Sequence, residues 1–305
     1  MRPEHTPLQP GARVALICPS SPAPPGLVRG AVAQLLEWGF EPVMGPNATA
    51  RHPRAAYLAG TDKQRAADLQ WAWCDPDIDG VFCMRGGYGA TRILDLLDVD
   101  ALRAARRKPI FGSSDVTAVA EFWRERLDRG FWLAPMIATA ELLDDEIAKA
   151  GLTAALFEPA AGRTYTSSIA SSIVQGQATG PLIGGNLSVL AMTIGARGRP
   201  TLDNSGAIAL LEDVTEDTYR IDGFFTTLLR SGWFDGVAAI ALGSWLDCGP
   251  LDEIRALAEE HLSPLGVPIV WELGFGHGPG AHSIPLGATA TLYADDAPRL
   301  QLSGD

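Results

Sequence analysis

Cysteine is scarce in this chain of 305 residues: Cys18, Cys74, Cys83 and Cys248 stand far apart, with no Cys-x-x-Cys pair and no histidine at metal-ligand spacing. That excludes a disulfide framework and a structural zinc, and predicts reduced, mostly buried thiols. Positive charge is also short. Twenty-four Lys and Arg face 36 Asp and Glu, a net charge of −12, so a nucleic acid is excluded as the main partner. A local cationic pocket remains possible in such an acidic shell, and Arg85, Arg92 and Arg220 each lie close to a candidate site motif. No apolar run is long enough to cross a bilayer, and the start, Met1 to Pro7, has neither the basic segment nor the apolar core of a signal peptide. These absences predict a cytoplasmic protein with no membrane partner. Internal repeats and low-complexity tracts are missing too.

What is present is core-forming material. Hydrophobic residues make up 47% of the chain and charged ones 20%, enough for a large interior, and the length favours two domains. Strand and helix signals alternate in the first half, which predicts a small doubly wound α/β domain with a mainly parallel sheet. Strands are expected at Arg13–Cys18, around Pro42–Met44, at Gly80–Met84 and at Pro109–Phe111. Helices are expected through Val28–Leu36, after a cap at Thr61, and over Ala90–Leu97. Residues 1–163 read as this first domain, the small and polar stretch 164–180 as a linker, and 181–305 as a second domain. The second half is more mixed. It offers a glycine turn at Gly184-Gly185-Asn186, a strand ending at Glu212, a helix after Tyr219, and strands at Val237–Leu242 and Ala288–Tyr293.

Ser114 sits where the apolar strand Pro109-Ile110-Phe111 meets Gly112 and a helix begins. At such a junction a hydroxyl stands clear of the sheet and the first helical N–H groups face developing negative charge. An N-cap is the plain alternative. A serine nucleophile needs a base and a group to orient that base, and the chain offers His277, between Gly276 and Gly278, and Glu212, after Ala207–Leu211. The Gly-x-Ser-x-Gly elbow is absent, since Val116 fills its last position. The loop Arg85-Gly86-Gly87-Tyr88-Gly89 presents bare N–H groups, read as a phosphate cradle, an oxyanion hole or a tight turn. It lacks the ending of a P-loop. His282 reads as a surface histidine, the Glu212–Asp213 pair also reads as a solvated turn, and Trp245 is a candidate pocket wall.

Taken together these motifs resemble the serine LD-carboxypeptidases, also called muramoyltetrapeptide carboxypeptidases, whose relatives include the microcin C immunity hydrolases. The resemblance runs through Ala15–Pro22, Tyr57–Asp62, Arg85–Gly89, Gly112–Thr117, Gly184–Leu187, Leu211–Val214 with Tyr219–Asp222, and Phe275–His277 with Pro285–Gly287. It implies Ser114 as nucleophile, His277 as general base and then acid, and Glu212 as the carboxylate that orients His277. The amide of Asp115 and one from Gly86 or Gly87 would form the oxyanion hole. Substrate carboxylates need cationic or N–H partners, for which Arg85 or Arg220 is the candidate, and Tyr88 is a further candidate contact for substrate. Ser113 departs from the family pattern, which usually has a bulky residue there. The implied fold is a parallel α/β amino-terminal domain and a mixed, mostly β carboxy-terminal domain with the site between them, usually in a homodimer. The implied reaction is removal of terminal D-alanine from a murein tetrapeptide in cell-wall recycling, with no metal and no cofactor. The rival expectations are a hydrolase of peptidyl-nucleotide antibiotics and a non-catalytic protein that binds a small ligand in the cleft.

Overall fold

A computed structural model describes residues 7–195 and 203–304; Met1–Thr6, read above for a signal peptide, lie outside them. Strands β1 (Arg13–Ile17), β2 (Glu41–Met44), β3 (Gly80–Cys83), β4 (Ile110–Gly112) and β5 (Phe131–Leu133) pair in parallel. Helices α1 (Pro25–Glu37), α2 (Asp62–Cys74), α3 (Val99–Ala104), α4 (Thr117–Phe122), α5 (Ala140–Leu143) and α6 (Glu146–Phe157) connect or flank them. Strands β1, β3, β4 and β5 are almost wholly buried, as apolar runs covered on both faces must be, whereas β2, at the edge of the sheet, is partly exposed. Phe82, Phe111 and Trp132 stand opposite one another on β3, β4 and β5, and their rings stack at 4.8 and 5.7 Å. Thr61 caps α2 as its sequence predicts, its hydroxyl accepting the Gln64 N–H while Gln64 Oε1 accepts the Thr61 N–H.

The second half builds on β6 (Thr164–Tyr165), β7 (Ser171–Val174), β8 (Gly176–Asn186), β9 (Ile208–Val214), β10 (Ala239–Leu246) and β11 (Ile269–Trp271), with α7 (Leu187–Thr193), α8 (Thr218–Arg230) and α9 (Leu251–Leu262). The run β8-β9-β10-β11 is parallel, and antiparallel strands, including β13 (Thr289–Ala294) and β14 (Arg299–Leu302), extend it on both sides. Between these, β12 (Ile284–Leu286) crosses back and pairs antiparallel with β5. The first sheet therefore runs β12-β5-β4-β3-β1-β2, closed by a strand from the far end of the chain. The architecture is a two-domain α/β fold with mixed sheets.

Four local readings change. Residues 164–180, expected as a linker, carry β6, β7 and the start of β8, because a polar, half-exposed stretch suits the margin of a sheet as well as a loop. Ala90–Leu97 forms two short 3-10 turns rather than an α-helix, closed by i→i+3 bonds from Arg92 to Gly89, Ile93 to Ala90, Leu96 to Ile93 and Leu97 to Leu94, the tighter winding usual in a short connector, before Asp98 caps α3. Gly184 and Gly185 are not a turn but paired residues near the end of β8, opposite Leu210 and Leu211. Finally β9 continues past Glu212 to Val214 between β8 and β10, so Glu212 and Asp213 are buried inside a sheet, not in a solvated turn.

Candidate active site

The parallel strands of both sheets deliver their carboxyl ends to one region, where open α/β sheets hold their ligands. β3 runs into the Arg85–Gly89 loop and β4 into Ser114; β9 carries Glu212, β10 carries Ser244, and the segment after β11 carries His277. The two sheets are tied together here by the Asn186 N–H, which donates to Thr117 Oγ1 at 3.0 Å.

Ser114 has φ = 58°, a left-handed conformation that costs a non-glycine residue roughly 1–3 kcal/mol. The strain turns the chain sharply between β4 and the helical segment that follows. Gly86 makes room for the result. A Cβ there would fall 2.7 Å from Ser114 Cβ and 2.8 Å from Ser114 Oγ, so only a bare backbone lets the loop approach the hydroxyl. Asp115 fixes this junction: its buried carboxylate accepts the Ala90 N–H at 2.8 Å, and burial raises its pKa. Gly87 lies against Ser21, whose hydroxyl accepts the Tyr88 N–H at 3.2 Å.

Across the cavity His277 Nδ1 lies 2.6 Å from Glu212 Oε2. Glu212 is wholly buried and His277 largely so. Burial alone would disfavour the imidazolium, but the charge of Glu212 and the hydrogen bond to it outweigh that, helped by Asp213 and Glu141, and raise the His277 pKa. The loop that carries the ring is held at two points, since Ser244 Oγ accepts the N–H groups of His277 and Gly278 at 2.9 and 2.8 Å. Gly276, at φ = 108°, is required behind it: a Cβ would sit 2.7 Å from Glu212 Oε2. Under this pair Asp213 accepts hydrogen bonds from Asn186 Nδ2 and from the Ser188 and Val214 N–H groups. Burial, then the neighbouring charge of Glu212, push it up to about 7.

A cavity of about 230 Å³ brings Ser114, His277, Arg85, Met136 and Glu141 to a common space. Ser114 and His277 share it without a direct hydrogen bond between them among the described residues, a spacing that a bound substrate can tighten. Two family models match the chain. Residues 14–129 match the LD-carboxypeptidase N-terminal domain and residues 179–292 the LD-carboxypeptidase C-terminal domain.

The chain belongs to the LD-carboxypeptidase family. Among its relatives, a Streptomyces coelicolor protein provisionally named a carboxypeptidase is 46% identical over 289 residues, covering 94% of this chain and 92% of that one. A murein tetrapeptide carboxypeptidase from Pseudomonas aeruginosa is 34% identical over 293 residues, 92% of each chain. The fold is that of the microcin C7 self-immunity protein MccF in an inactive mutant apo state, with a TM-score of 0.86 at 23% identity over 100% of this chain and 99% of that one.

Within this LD-carboxypeptidase family member the other sequence candidates fall unevenly. Arg85 lines the cavity, its guanidinium donating to the Pro22 carbonyl at 3.0 Å. Tyr88 faces Tyr57 and lines a different cavity. Arg220 stands outside, paired with Glu216 and lying 5.3 Å above the Phe224 ring. Ser113 is buried at the cavity wall, its N–H donating to Met136 Sδ. His282 bonds the Thr166 carbonyl away from the site. Sequence reasoning missed Ser244, Asn186 and Glu141. The strand-end position of Ser244, directly before Trp245, was the available signal for the first, and nothing in the local sequence marks Glu141.

Proposed function

We propose that the protein is a serine LD-carboxypeptidase that removes the terminal D-alanine of murein tetrapeptides, acting in the cytoplasm as a homodimer in cell-wall recycling. Ser114 Oγ attacks the carbonyl carbon next to the departing residue while His277 takes the hydroxyl proton. The amides of Asp115 and of Gly86 or Gly87 receive the negative oxygen of the tetrahedral intermediate. Its collapse breaks the C–N bond, and His277 returns the proton to the leaving amine. Water, deprotonated by His277, then releases the peptide from Ser114. Glu212 holds the imidazole in the tautomer with Nδ1–H and compensates its charge. Arg85 meets the substrate's terminal carboxylate; it is better placed for this than Arg220 or Tyr88.

The observation that carries this reading is the buried Glu212–His277 pair lining, through His277, the same cavity as a serine held in a left-handed conformation. The murein tetrapeptide carboxypeptidase among the relatives supports the substrate class. The likeness to MccF bears on the fold, so the rival peptidyl-nucleotide hydrolase is decided by assay. Purified protein is offered murein tetrapeptide and a microcin-like conjugate, with Ser114→Ala and Ser113→Ala alongside. Release of D-alanine, lost by roughly 10⁴-fold or more in Ser114→Ala and retained in Ser113→Ala, is expected. Cleavage of the conjugate alone rejects the carboxypeptidase, ligand binding without any turnover rejects the enzyme, and a dead Ser113 variant beside an active Ser114 variant reassigns the nucleophile.

A further inference from the structure

Asp145 stands at the corner between α5 and α6, in the half of the chain that carries Ser114, and its two carboxylate oxygens serve different neighbours. Oδ1 accepts the Ile147 and Ala148 N–H groups, both at 2.9 Å, and so caps α6. Oδ2 accepts the Gly280 N–H at 2.7 Å, across 135 residues of sequence. Gly280 lies on the His277 loop, three residues after the imidazole. The bonds from Ala148, Gly280 and Ile147 hold the carboxyl below the ordinary aspartate value, so the acceptor is ionised and its bond to Gly280 is charge-assisted. Capping does not require the second oxygen: Asp98 caps α3 through Oδ1, which takes the Asp100 and Ala101 N–H groups at 3.1 Å.

Other ties of the His277 loop come from the far half of the chain. Ser244 Oγ takes the His277 and Gly278 N–H groups, and the His282 N–H closes the loop on the Gly274 carbonyl at 2.9 Å. These bonds set the ring against Glu212 but leave its distance from Ser114 open. That distance is fixed by bonds between the two halves, and they flank the cavity. Thr117, three residues after Ser114, takes the Asn186 N–H, and Asp145 takes the Gly280 N–H. The corner also forms part of the cavity wall, because Glu141 of α5 lines it together with Gly278 and Ala281.

We propose that Asp145 is a positioning residue, whose bond to the Gly280 N–H holds the His277 loop against the half of the chain that carries Ser114 and sets the imidazole within reach of the hydroxyl. The proposal rests on the reading above, in which His277 is the base for Ser114. A misplacement of about 1 Å in such a pair lowers the rate by about 10²-fold, so one hydrogen bond outside the cavity has a kinetic signature.

Asp145→Ser keeps an oxygen to cap α6 and has none to reach Gly280. With murein tetrapeptide its kcat is expected to fall by about 10- to 100-fold, its KM to stay within about twofold, and its thermal midpoint to hold. Asp145→Ala, which loses the cap as well, is expected to lose kcat to the same extent and about 2–4 °C in midpoint. Asp98→Ala loses a cap of the same kind and is expected to lower the midpoint with kcat unchanged. Full kcat in Asp145→Ser, a loss of kcat confined to Asp145→Ala, or a rise in KM at constant kcat overturns the proposal. Exchange of the Gly280 amide hydrogen, followed without substrate, separates this claim from the carboxypeptidase reading; in Asp145→Ser it is expected to quicken by about tenfold or more. Quickened exchange in a protein that leaves the tetrapeptide intact keeps the tie and rejects the carboxypeptidase. Cleavage with unaltered exchange keeps the carboxypeptidase and rejects the tie.

Discussion

Glu212 has no exposed surface of its own and places one oxygen 2.6 Å from His277 Nδ1, so the pair meets a substrate through the imidazole alone. The carboxylate is itself held from the opposite strand: Asn186 stands across from it in the β8–β9 register and donates to both Glu212 and Asp213. A hydrogen bond inside a sheet, rather than on a loop, thus fixes the direction of the ring.

This coupling sets the pH dependence. Because the His277 pKa is raised, the ring stays protonated, and unable to take a proton from Ser114, above the ordinary histidine value. Rate is expected to climb with pH through an acid limb displaced upward from about 6.5. Glu212→Gln removes the charge, leaves burial dominant, moves that limb downward and lowers kcat by about 10³- to 10⁴-fold. A pH–rate profile of the two proteins checks both effects, and an unmoved limb would show that His277 is not the titrating base. The same pair stabilises the fold below the unfolded histidine value and loses that contribution as pH rises through the folded one.

Gly86→Ala tests the approach of the loop to the hydroxyl. The new methyl would overlap Ser114 Cβ and Oγ, so either the hydroxyl or the loop amides must shift. Turnover is expected to fall by about 10²- to 10³-fold, the scale of losing one oxyanion donor, with little change in thermal midpoint. Equal activity in the variant would remove the loop from the reaction.

Much of this was legible in the chain because the signals were local. Thr61 and Gln64 write their capping box in four residues, and β1, β3 and β4 are apolar runs bounded by proline or glycine. The candidates of the site were local too: Ser114 after an apolar strand and Gly112, Glu212 after Ala207–Leu211, and His277 between two glycines. Their meeting was not readable, since the Glu212–His277 contact spans 65 residues and depends on which strands become neighbours. Asp213 shows the same limit: two acids at the end of an apolar run look solvated until β8 and β10 close on both sides. Residues 164–180 were misread because composition reports exposure, and marginal strands are exposed.

Arg65 holds the other side of the site together. It is 1% exposed, donates from one nitrogen to the carbonyls of Pro19 and Gly89 at 2.6 and 2.7 Å, and pairs with Asp62, which Arg92 also engages. Methionine in its place keeps the buried stem but leaves both carbonyls without their donor. Arg65→Met is expected to cost about 3 kcal/mol in denaturant unfolding and to lower kcat more than it raises KM, because the Gly86 loop loses its tie to the end of β1. A loss of stability with kcat unchanged would mean the loop keeps its place without the arginine.

Glu272 gives a stability signature that needs no substrate. Its folded-state value of about 7 exceeds the ordinary 4.5, so between these the folded protein keeps a proton that the unfolded chain has released. Folding is therefore least burdened at acid pH, and stability declines as pH rises through that window, by at most about 3 kcal/mol from this one group. Glutamine has the same shape and no proton to lose. The difference in unfolding free energy between Glu272→Gln and the unaltered protein is expected to be small near pH 4 and to grow in favour of glutamine up to about pH 8, as the buried carboxylate is forced to ionise without a partner. Asp213 and His277 titrate in both proteins and cancel in the difference, so a gap that stays constant with pH would show that Glu272 is already charged and compensated in the folded protein.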